Sequence, residues 1–452
     1  MDEKQISRLA GLAIFAYYLY FAFGALPSHF AVDDPMNLGQ YWRLGFWHSF
    51  ADDLRFWSTA YRPMGAMFYL PIYRFFGIEP IPYRIAILAI LGINTWLTFQ
   101  IAARLTNSKP AAALSAVLVC AHASMVAVYY NTSQLYDILV FFFLAIMLLC
   151  YIRFRSAGSD LSLTQTIIVV AAFIAALDSK ENAVTGAGWI LAYELLFHRP
   201  WKLRTPAILA AVAVIYTLGK QFGPNALAKQ EGYILELTWH RYFANNRWYL
   251  NDLFYTTWFS STKKLVIAWL ILTLICALTR KRELWWSWFV VSTITLPTSF
   301  TITPRGGPGL YVPLFGWAIL ISTLVITFLK RRELQWATAT LAAVLYAWHI
   351  IPNWRSQHQP FLDDHQLTWS VFSQFRDLPS RPAHNSRILI LSNPFRDWDT
   401  WFMAALVWND RSLNIDLASK LDTPPDPSHY DWVLTFDDDK LRVQKRPVPA
   451  NP

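Results

Sequence analysis

Long apolar runs recur along most of the chain, and they constrain the fold more than any other feature. A membrane-spanning helix needs about 20 mainly apolar residues, and eleven segments approach or meet that length: 9–28, 83–104, 110–130, 134–153, 162–178, 183–198, 206–222, 264–279, 284–302, 309–329 and 334–351. Composition agrees, because 55% of the residues are hydrophobic and 22 are Trp, a residue that favours the edges of membrane helices. The sequence therefore predicts an all-α polytopic membrane protein with about eleven spans.

The loops between these runs carry short clusters of Lys and Arg, and the clusters fall on alternate loops. With the N-terminus in the cytoplasm, the inside loops hold these basic residues: Arg104, Lys109, Arg153, Arg155, Arg199, Lys202, Arg204, Arg280, Lys281, Arg282, Lys330, Arg331 and Arg332. This alternation satisfies the positive-inside rule. It predicts a cytoplasmic N-terminus and an extracytoplasmic C-terminus, and it accounts for the net charge of +9 without a nucleic-acid partner.

The predicted outer side receives two long loops, 29–82 and 223–263. Each contains aromatic residues at helical spacing, over 41–58 and 237–259, which predicts amphipathic helices in the membrane interface. A further apolar piece, 64–77, is interrupted by a proline and an arginine. It is interpreted as an interfacial or re-entrant helix, because it is too short and too polar for a crossing.

The character of the chain changes after Pro352, which predicts a membrane domain over 1–352 and a smaller external domain over 353–452. The second part contains short apolar strings separated by Pro and Asp, a pattern typical of a small α/β fold. Its predicted elements are a strand at 387–392, a helix at 398–408, a strand at 414–418, and a hairpin formed by 430–436 and 441–445.

Few ionisable residues fall on the predicted outer side, and the topology places them near one membrane face. Asp33 and Asp34 follow the first span, where two adjacent carboxylates are costly without a cation, a metal or a substrate. The other candidates are Arg62, Asp137, Lys180, Glu181, His240, Arg241 and Arg305.

A carboxylate can take a proton from an acceptor hydroxyl, and cations can stabilise a phosphate leaving group. The pattern therefore favours transfer from a phosphate-linked donor, with Asp33 or Asp34 as the base. The predicted phosphate-binding residues are Lys180, Arg241 and Arg305, with Arg62 nearby.

Each candidate also has a purely structural interpretation, and the sequence leaves these alternatives open. Lys180 and Glu181 can form a local ion pair, and Arg62 can pack against the acidic pair. Asp137 can cap a helix, and His240 can be an interfacial aromatic residue. A divalent metal also stays open, because carboxylates and a histidine lie outside, but no spacing recommends a metal site.

Several motifs follow one another in a characteristic order. The first span is followed by Asp33-Asp34, an interfacial segment and Tyr61-Arg62-Pro63, and later by Ser179-Lys180-Glu181-Asn182 before an apolar helix. This order resembles the GT-C superfamily of polyprenyl-phosphate-sugar glycosyltransferases over roughly residues 9–330. Within it, the chain is most similar to the branch of protein O-mannosyltransferases and transmembrane tetratricopeptide mannosyltransferases.

The resemblance implies an enzyme that moves a sugar from a polyprenyl-phosphate donor to a hydroxyl of an extracytoplasmic protein, glycan or lipid. It implies that Asp33, the first acid of the pair, is the general base and that the reaction inverts the anomeric centre. Arg305 and Tyr311 resemble the family's late Arg/His-x-Tyr region, and Tyr61 becomes a possible substrate contact. The tetratricopeptide tail of animal members is lacking, which favours a bacterial inner-membrane relative; no cofactor is implied with certainty.

A transporter or flippase of lipid-linked saccharides is the alternative function. Transporters place ionisable residues inside their spans and often have broken helices. In this sequence the spans carry almost no charge, and the charged candidate site residues lie near one face. The sequence therefore favours the enzyme.

Overall fold

The structure is a computed structural model that describes residues 3–58, 60–156, 158–222, 234–304, 306–395, 398–437 and 440–445. Within these residues the α-helices are α1 Glu3–Ala25, α2 Asp33–Leu44, α3 Phe46–Leu54, α4 Met64–Phe76, α5 Pro80–Thr106, α6 Lys109–Cys120, α7 Val126–Tyr130, α8 Leu135–Arg155, α9 Leu163–Ser179, α10 Gly186–Phe197, α11 Arg204–Phe222, α12 Trp239–Leu253, α13 Thr262–Thr279, α14 Arg282–Thr293, α15 Leu296–Ser299, α16 Tyr311–Thr327, α17 Arg332–Arg376 and α18 Asp399–Trp408.

Every predicted span coincides with helical structure, which confirms the all-α polytopic class. In the described residues, seven helices are long and apolar enough to cross a membrane: α1, α5, α8, α11, α13, α16 and α17. An eighth crossing is present if α6 and α7 form one span that is bent by 54°. The other predicted spans contain shorter helices, with 17 residues in α9 and 12 each in α10 and α14. Within the described residues, seven or eight of the predicted crossings thus have the full length and composition of a span.

The centre of the membrane domain is formed by α5, α6, α8 and α16, which pack against one another. Large aromatic side chains fill the space between these helices and their neighbours. Trp189 and Trp286 meet edge to face with ring centroids 6.4 Å apart, and Phe141 meets Phe315 in the same way at 5.3 Å. Such aromatic contacts bury much area in a fixed geometry. They give a rigid frame to the helix ends that carry the charged side chains.

Buried charges are present in the membrane helices, which corrects the prediction of spans almost free of them. Among the described residues, the buried Asp, Glu, Lys and Arg side chains of these helices are Arg84, Asp137, Arg155, Asp178, Glu194 and Lys220. Each lies within five residues of a helix end. A charge is less costly there than at the midplane, because unsatisfied backbone groups and water are close.

The acidic pair lies in the first turn of α2 rather than in a loop. Carboxylates are favourable at this end of a helix because they interact with its unpaired N–H groups and positive dipole end. Pro35 fits the same turn, since its missing N–H has no partner there in any helix. Gly45, at φ 88°, separates α2 from α3. These helices and α12 correspond to the predicted aromatic segments.

Helix α17 continues through the predicted domain boundary at residue 352. Pro352 and Pro360 both lie inside it, although each removes one backbone hydrogen bond. The later part of the helix buries Thr368, Val371, Phe372 and Phe375 and packs on α18 and the last strand. The sequence becomes more polar after residue 352 because the later part of α17 packs on the C-terminal elements, although the helix itself is continuous.

The C-terminal part contains a small four-stranded sheet in the order β2-β1-β3-β4. Its strands are β1 Arg387–Ile390, β2 Asn414–Leu417, β3 Trp432–Asp437 and β4 Lys440–Lys445. β1 is parallel to β2 and β3, and β3 and β4 are antiparallel. These elements agree with the strands, helix and hairpin predicted from the sequence; residues 438–439 of the hairpin turn lie outside the described residues.

Candidate active site

A cavity of about 510 Å³ collects many of the charged residues singled out in the sequence. Its walls come from α2, the segment before α4, the start of α8, the turn between α9 and α10, and the segment after α15. The lining residues are Asp33, Met36, Asn37, Gln40, Tyr61, Arg62, Ser133, Gln134, Tyr136, Asp137, Lys180, Glu181, Thr298, Gly306, Pro308 and Gly309. Six of the predicted site residues therefore share one cavity.

The two adjacent aspartates have different surroundings. Asp33 is exposed and lines the cavity. Asp34 is only 1% exposed, and its carboxylate accepts backbone hydrogen bonds from Ala31 (2.8 Å), Thr132 (3.2 Å) and Ser133. The Arg84 guanidinium lies 3.8 Å from it. Asp34 therefore ties the start of α2 to the turn before α8, and the structure brings only Asp33 to the cavity.

Burial raises the pKa of Asp34 to about 6. The Arg84 guanidinium and the three backbone N–H donors oppose this effect, because each favours the ionised form. A carboxyl group enclosed in this way holds neighbouring segments together and has no access to a substrate hydroxyl in the cavity.

Arg62 pairs with Glu181 across the cavity, rather than with Asp34. The Nε and Nη2 atoms donate to the two carboxylate oxygens at 3.2 and 3.1 Å. The guanidinium also lies 4.6 Å from the Tyr61 ring centroid and 5.0 Å from that of Tyr136, within the range of cation–π attraction. Burial alone would raise the pKa of Glu181, but the Arg62 guanidinium lowers it below its ordinary value.

Lys180 pairs with Asp137, so its predicted local pairing with Glu181 is replaced by a contact between helices. Nζ donates to both carboxylate oxygens at 2.6 Å. The two side chains are 14% and 4% exposed, and both residues line the cavity. Asp137 lies in the first turn of α8, where a carboxylate is also favoured by the helix dipole. Asp137 does not cap α8, because Gln134 occupies the cap position, and it lines the cavity instead.

Three residues that the sequence analysis missed connect the backbone of Asp33 to the backbone of Arg62. Tyr136 donates a hydrogen bond to Asn37 Oδ1 at 2.8 Å, and Asn37 Nδ2 donates to the Asp33 carbonyl at 2.9 Å. The Tyr136 hydroxyl also lies 2.8 Å from that of Tyr41, which donates to the Arg62 carbonyl at 2.8 Å. Spacing could have indicated Asn37, because it lies four residues after Asp33 on the same helix face.

Besides Asp34, three predicted residues whose positions are described do not line this cavity. Arg241 donates to the Glu236 carboxylate at 2.9 and 2.6 Å, and the adjacent His240 is exposed. Tyr311 is 3% exposed and packs on Phe141 with ring centroids 5.1 Å apart. Arg305 lies outside the described residues, between Pro304 and the cavity residue Gly306.

The described lining contains three carboxylates and two cations, and both cations already have carboxylate partners. Such a cavity can hold a phosphate group at Lys180 and Arg62, while Asp137 and Glu181 keep the two cations in place. Within the residues the structure describes, no group of three His, Cys, Asp or Glu that could hold a metal ion is found. The divalent metal left open by the sequence is therefore not assigned to any residues.

A second cavity of about 410 Å³ adjoins the first and shares Gln40 and Tyr61 with it. Its other lining residues are Tyr41, Leu44, His48, Ser49, Asp52, Ser58, Ala60 and Pro63. Asp52 accepts a hydrogen bond from Arg55 at 2.9 Å and lies 3.6 Å from the His48 ring. The side chains of Gln40 and Tyr61 thus lie between the two cavities.

No protein-family profile and no curated protein sequence matches this chain. Solved structures of ArnT from Cupriavidus metallidurans do. ArnT bound to undecaprenyl phosphate has a TM-score of 0.51 and 13% identity, over 89% of this chain and 85% of ArnT. ArnT in the apo state has a TM-score of 0.51 and 14% identity, over 94% and 93%. At these identities the likeness concerns the fold and does not single out the mannosyltransferase branch. The chain described here therefore has the fold of ArnT.

Proposed function

We propose that this protein is a membrane glycosyltransferase that uses a polyprenyl-phosphate-linked sugar as its donor. The observation that carries the proposal is one cavity in which an exposed aspartate faces two carboxylate-held cations. The fold is shared with ArnT, whose solved structure contains undecaprenyl phosphate. A lipid phosphate and a sugar hydroxyl are the two groups that such a set of side chains suits.

In the proposed reaction the donor phosphate contacts Lys180 and Arg62. An acceptor hydroxyl oxygen attacks the anomeric carbon as the bond from that carbon to the phosphate oxygen breaks, and polyprenyl phosphate leaves. The hydroxyl proton passes to the Asp33 carboxylate. A single displacement of this kind inverts the anomeric centre. The cations stabilise the charge that develops on the leaving phosphate.

The adjoining cavity is the proposed acceptor site. It reaches the first cavity past Gln40 and Tyr61, and its polar walls suit a hydroxylated group. Leu44→Trp would fill this space from an exposed position. We expect a higher KM for the acceptor and an unchanged affinity for the donor, whereas Leu54→Trp, an exposed residue of the next helix outside the lining, serves as control. Equal effects of both variants would remove the assignment.

The proposal names the substrates only by class. The acceptor is a protein, a glycan or a lipid, and the sugar is a hexose such as mannose. The basic loops support a cytoplasmic N-terminus and an extracytoplasmic active site and C-terminus, and the family resemblance implies a bacterial inner membrane. On this topology the donor lipid and the acceptor both arrive at the outer face.

The test is sugar transfer by purified wild-type protein from a panel of radiolabelled polyprenyl-phosphate monosaccharides. We expect one donor to be consumed with release of polyprenyl phosphate, and Asp33→Asn to abolish that release. Movement of labelled lipid between leaflets of proteoliposomes without cleavage of any donor would instead favour the transporter. The position of the buried charges near helix ends supports the enzyme, since a midplane site would require charge in the helix centres.

A further inference from the structure

Helix α2 has two faces, and each belongs to a different part of the molecule. Asp33, Asn37 and Gln40 line the cavity and follow one another at intervals of four and three residues, which places them on one helix face. Gly39 and Trp42 lie on the other side and contact the C-terminal part of the chain. The helix that carries the proposed base is therefore held between the cavity and α18.

The contact in the middle of α2 depends on the absence of a side chain. A Cβ atom built on Gly39 would overlap the Phe402 ring, with Cγ only 3.2 Å away. The ring therefore lies directly on the α2 backbone. Any side chain at residue 39 must therefore displace the Phe402 ring, α2 or α18.

Two further contacts fix the C-terminal end of α2. The Trp42 Nε1 atom donates to Asn409 Oδ1 at 2.9 Å. Arg411 donates to the Trp42 carbonyl, and its guanidinium lies 5.3 Å from the Trp42 ring centroid. Asn409 is also the residue that ends α18, at φ 50°. Asn409 thus caps the C-terminal end of α18 and also accepts a hydrogen bond from α2.

Contacts from α17 and α4 complete the arrangement. The Val32 N–H, one residue before α2, points to Asp364 Oδ2 of α17 at 3.4 Å. On α4, Tyr73 donates to the Leu406 carbonyl of α18 at 2.8 Å. The C-terminal part therefore contacts α2 near both ends and at its middle, while α4 keeps α18 in register with the membrane domain.

We infer that the C-terminal domain positions the catalytic helix, with Phe402, Asn409 and Arg411 as positioning residues that set the place of Asp33 in the cavity. This inference rests on the proposed function of Asp33. Reacting groups must be aligned closely, and a displacement of about 1 Å can reduce a rate roughly hundredfold. An extramembrane domain seated on α2 therefore contributes to turnover without touching either substrate.

The experiment compares Gly39→Ala, Phe402→Ala and the double variant in full-length protein, with Gly11→Ala as control, since a Cβ at Gly11 meets nothing within 4 Å. We expect Gly39→Ala to lower kcat by about tenfold to a hundredfold, with the Kd for polyprenyl phosphate unchanged. The double variant should recover most of the loss, because the smaller residue 402 leaves room for the new methyl group. Wild-type turnover by Gly39→Ala, or no recovery in the double variant, would overturn the inference.

A second measurement does not depend on the reaction. Amide hydrogen exchange over 33–44 should be faster in Asn409→Ala than in wild type, with exchange in α5 and α8 unchanged. Unchanged exchange over 33–44 would contradict the inference even if the enzyme is active. If wild type consumes no donor while exchange over α2 responds as expected, the proposed function fails and the structural contact between the domains stands.

Discussion

Two arginine–glutamate pairs lie towards opposite ends of α8 and α10, and their surroundings differ. Arg155, the last residue of α8, pairs with Glu194 at 2.9 Å, and the side chains are 2% and 0% exposed. Arg62 pairs with Glu181, just before α10, at 3.1 Å, with 9% and 21% exposed. The residue types and distances are nearly the same, but the second pair lines the cavity described above.

The Arg155–Glu194 pair, called the closed pair below, is surrounded by further hydrogen-bond partners. Arg155 also donates to the carbonyls of Gly158 and Pro200, at 2.9 and 3.1 Å. Glu194 also accepts from Tyr151 at 3.0 Å and from the Lys202 N–H at 2.6 Å. These contacts join three segments of chain at one end of the helices. The comparison teaches that the residue types of an ion pair do not by themselves indicate a binding site. What distinguishes the two pairs is whether their side chains line a cavity.

The largest expected effect is on the closed pair. Arg155→Met leaves the Glu194 carboxylate buried without its cation, which we expect to cost about 3–5 kcal/mol of unfolding free energy. Yield and thermal unfolding in detergent measure the loss. Arg155→Met combined with Glu194→Gln should be more stable than Arg155→Met alone, because the unpaired charge is then gone. Equal stability of Arg155→Met and wild type would show that the closed pair does not stabilise the fold.

The next largest effect is expected for Lys180, which lines the cavity. Lys180→Gln removes a cation from the cavity, and charged hydrogen bonds of this kind are worth about 1.5–3 kcal/mol. We therefore expect binding of polyprenyl phosphate to weaken by roughly tenfold to a hundredfold, as measured by titration of the purified protein. Lys180→Arg should retain most of the affinity. Wild-type binding by Lys180→Gln would show that the phosphate lies elsewhere.

A smaller effect concerns Glu181 and pH. Its pKa in the folded protein is below the ordinary value of 4.5, so the pair contributes stability above that pH and loses it as the pH falls through the lowered pKa. Glu181→Gln should cost about 1–2 kcal/mol near pH 7, between exposed and buried pairs. It should also flatten the dependence of the thermal midpoint on pH between neutral and strongly acidic conditions. An unchanged pH slope in this variant would contradict the assignment.

The smallest effect is expected at Arg241, which the sequence placed on the phosphate and the structure places on Glu236. Arg241→Gln should bind polyprenyl phosphate and transfer sugar within about twofold of wild type, because an exposed pair contributes little. The same titration measures it. A loss comparable to that of Lys180→Gln would restore the sequence prediction and mean that the cavity changes when the donor binds.

The fold class and the members of the site could largely be predicted, whereas the pairings could not. Apolar runs and charges at their ends are local signals, and they located Asp33, Arg62, Lys180 and Glu181 correctly near one cavity. The partner of each charge is set by helix packing between distant segments. The sequence offers Lys180 its neighbour Glu181 as an alternative partner, whereas the structure pairs it with Asp137.

Two other differences have the same cause. The positive-inside rule places Arg155 among the basic loop residues that orient the chain, but Arg155 is buried against Glu194. A positive charge in the sequence therefore does not by itself mark an exposed loop. Asp33 and Asp34 are equivalent in sequence, and they differ in the structure because successive residues of a helix point about 100° apart. One side chain reaches the cavity and the other meets Arg84.

The most direct test of the central claim is single-turnover transfer by Asp33→Asn, with Asp34→Asn and Lys180→Arg beside it and donor affinity measured for each. We expect Asp33→Asn to bind the donor lipid as wild type does and to transfer sugar about a hundredfold to ten-thousandfold more slowly, which is the range for loss of a general base. Transfer at the wild-type rate by a correctly folded Asp33→Asn protein would contradict the account.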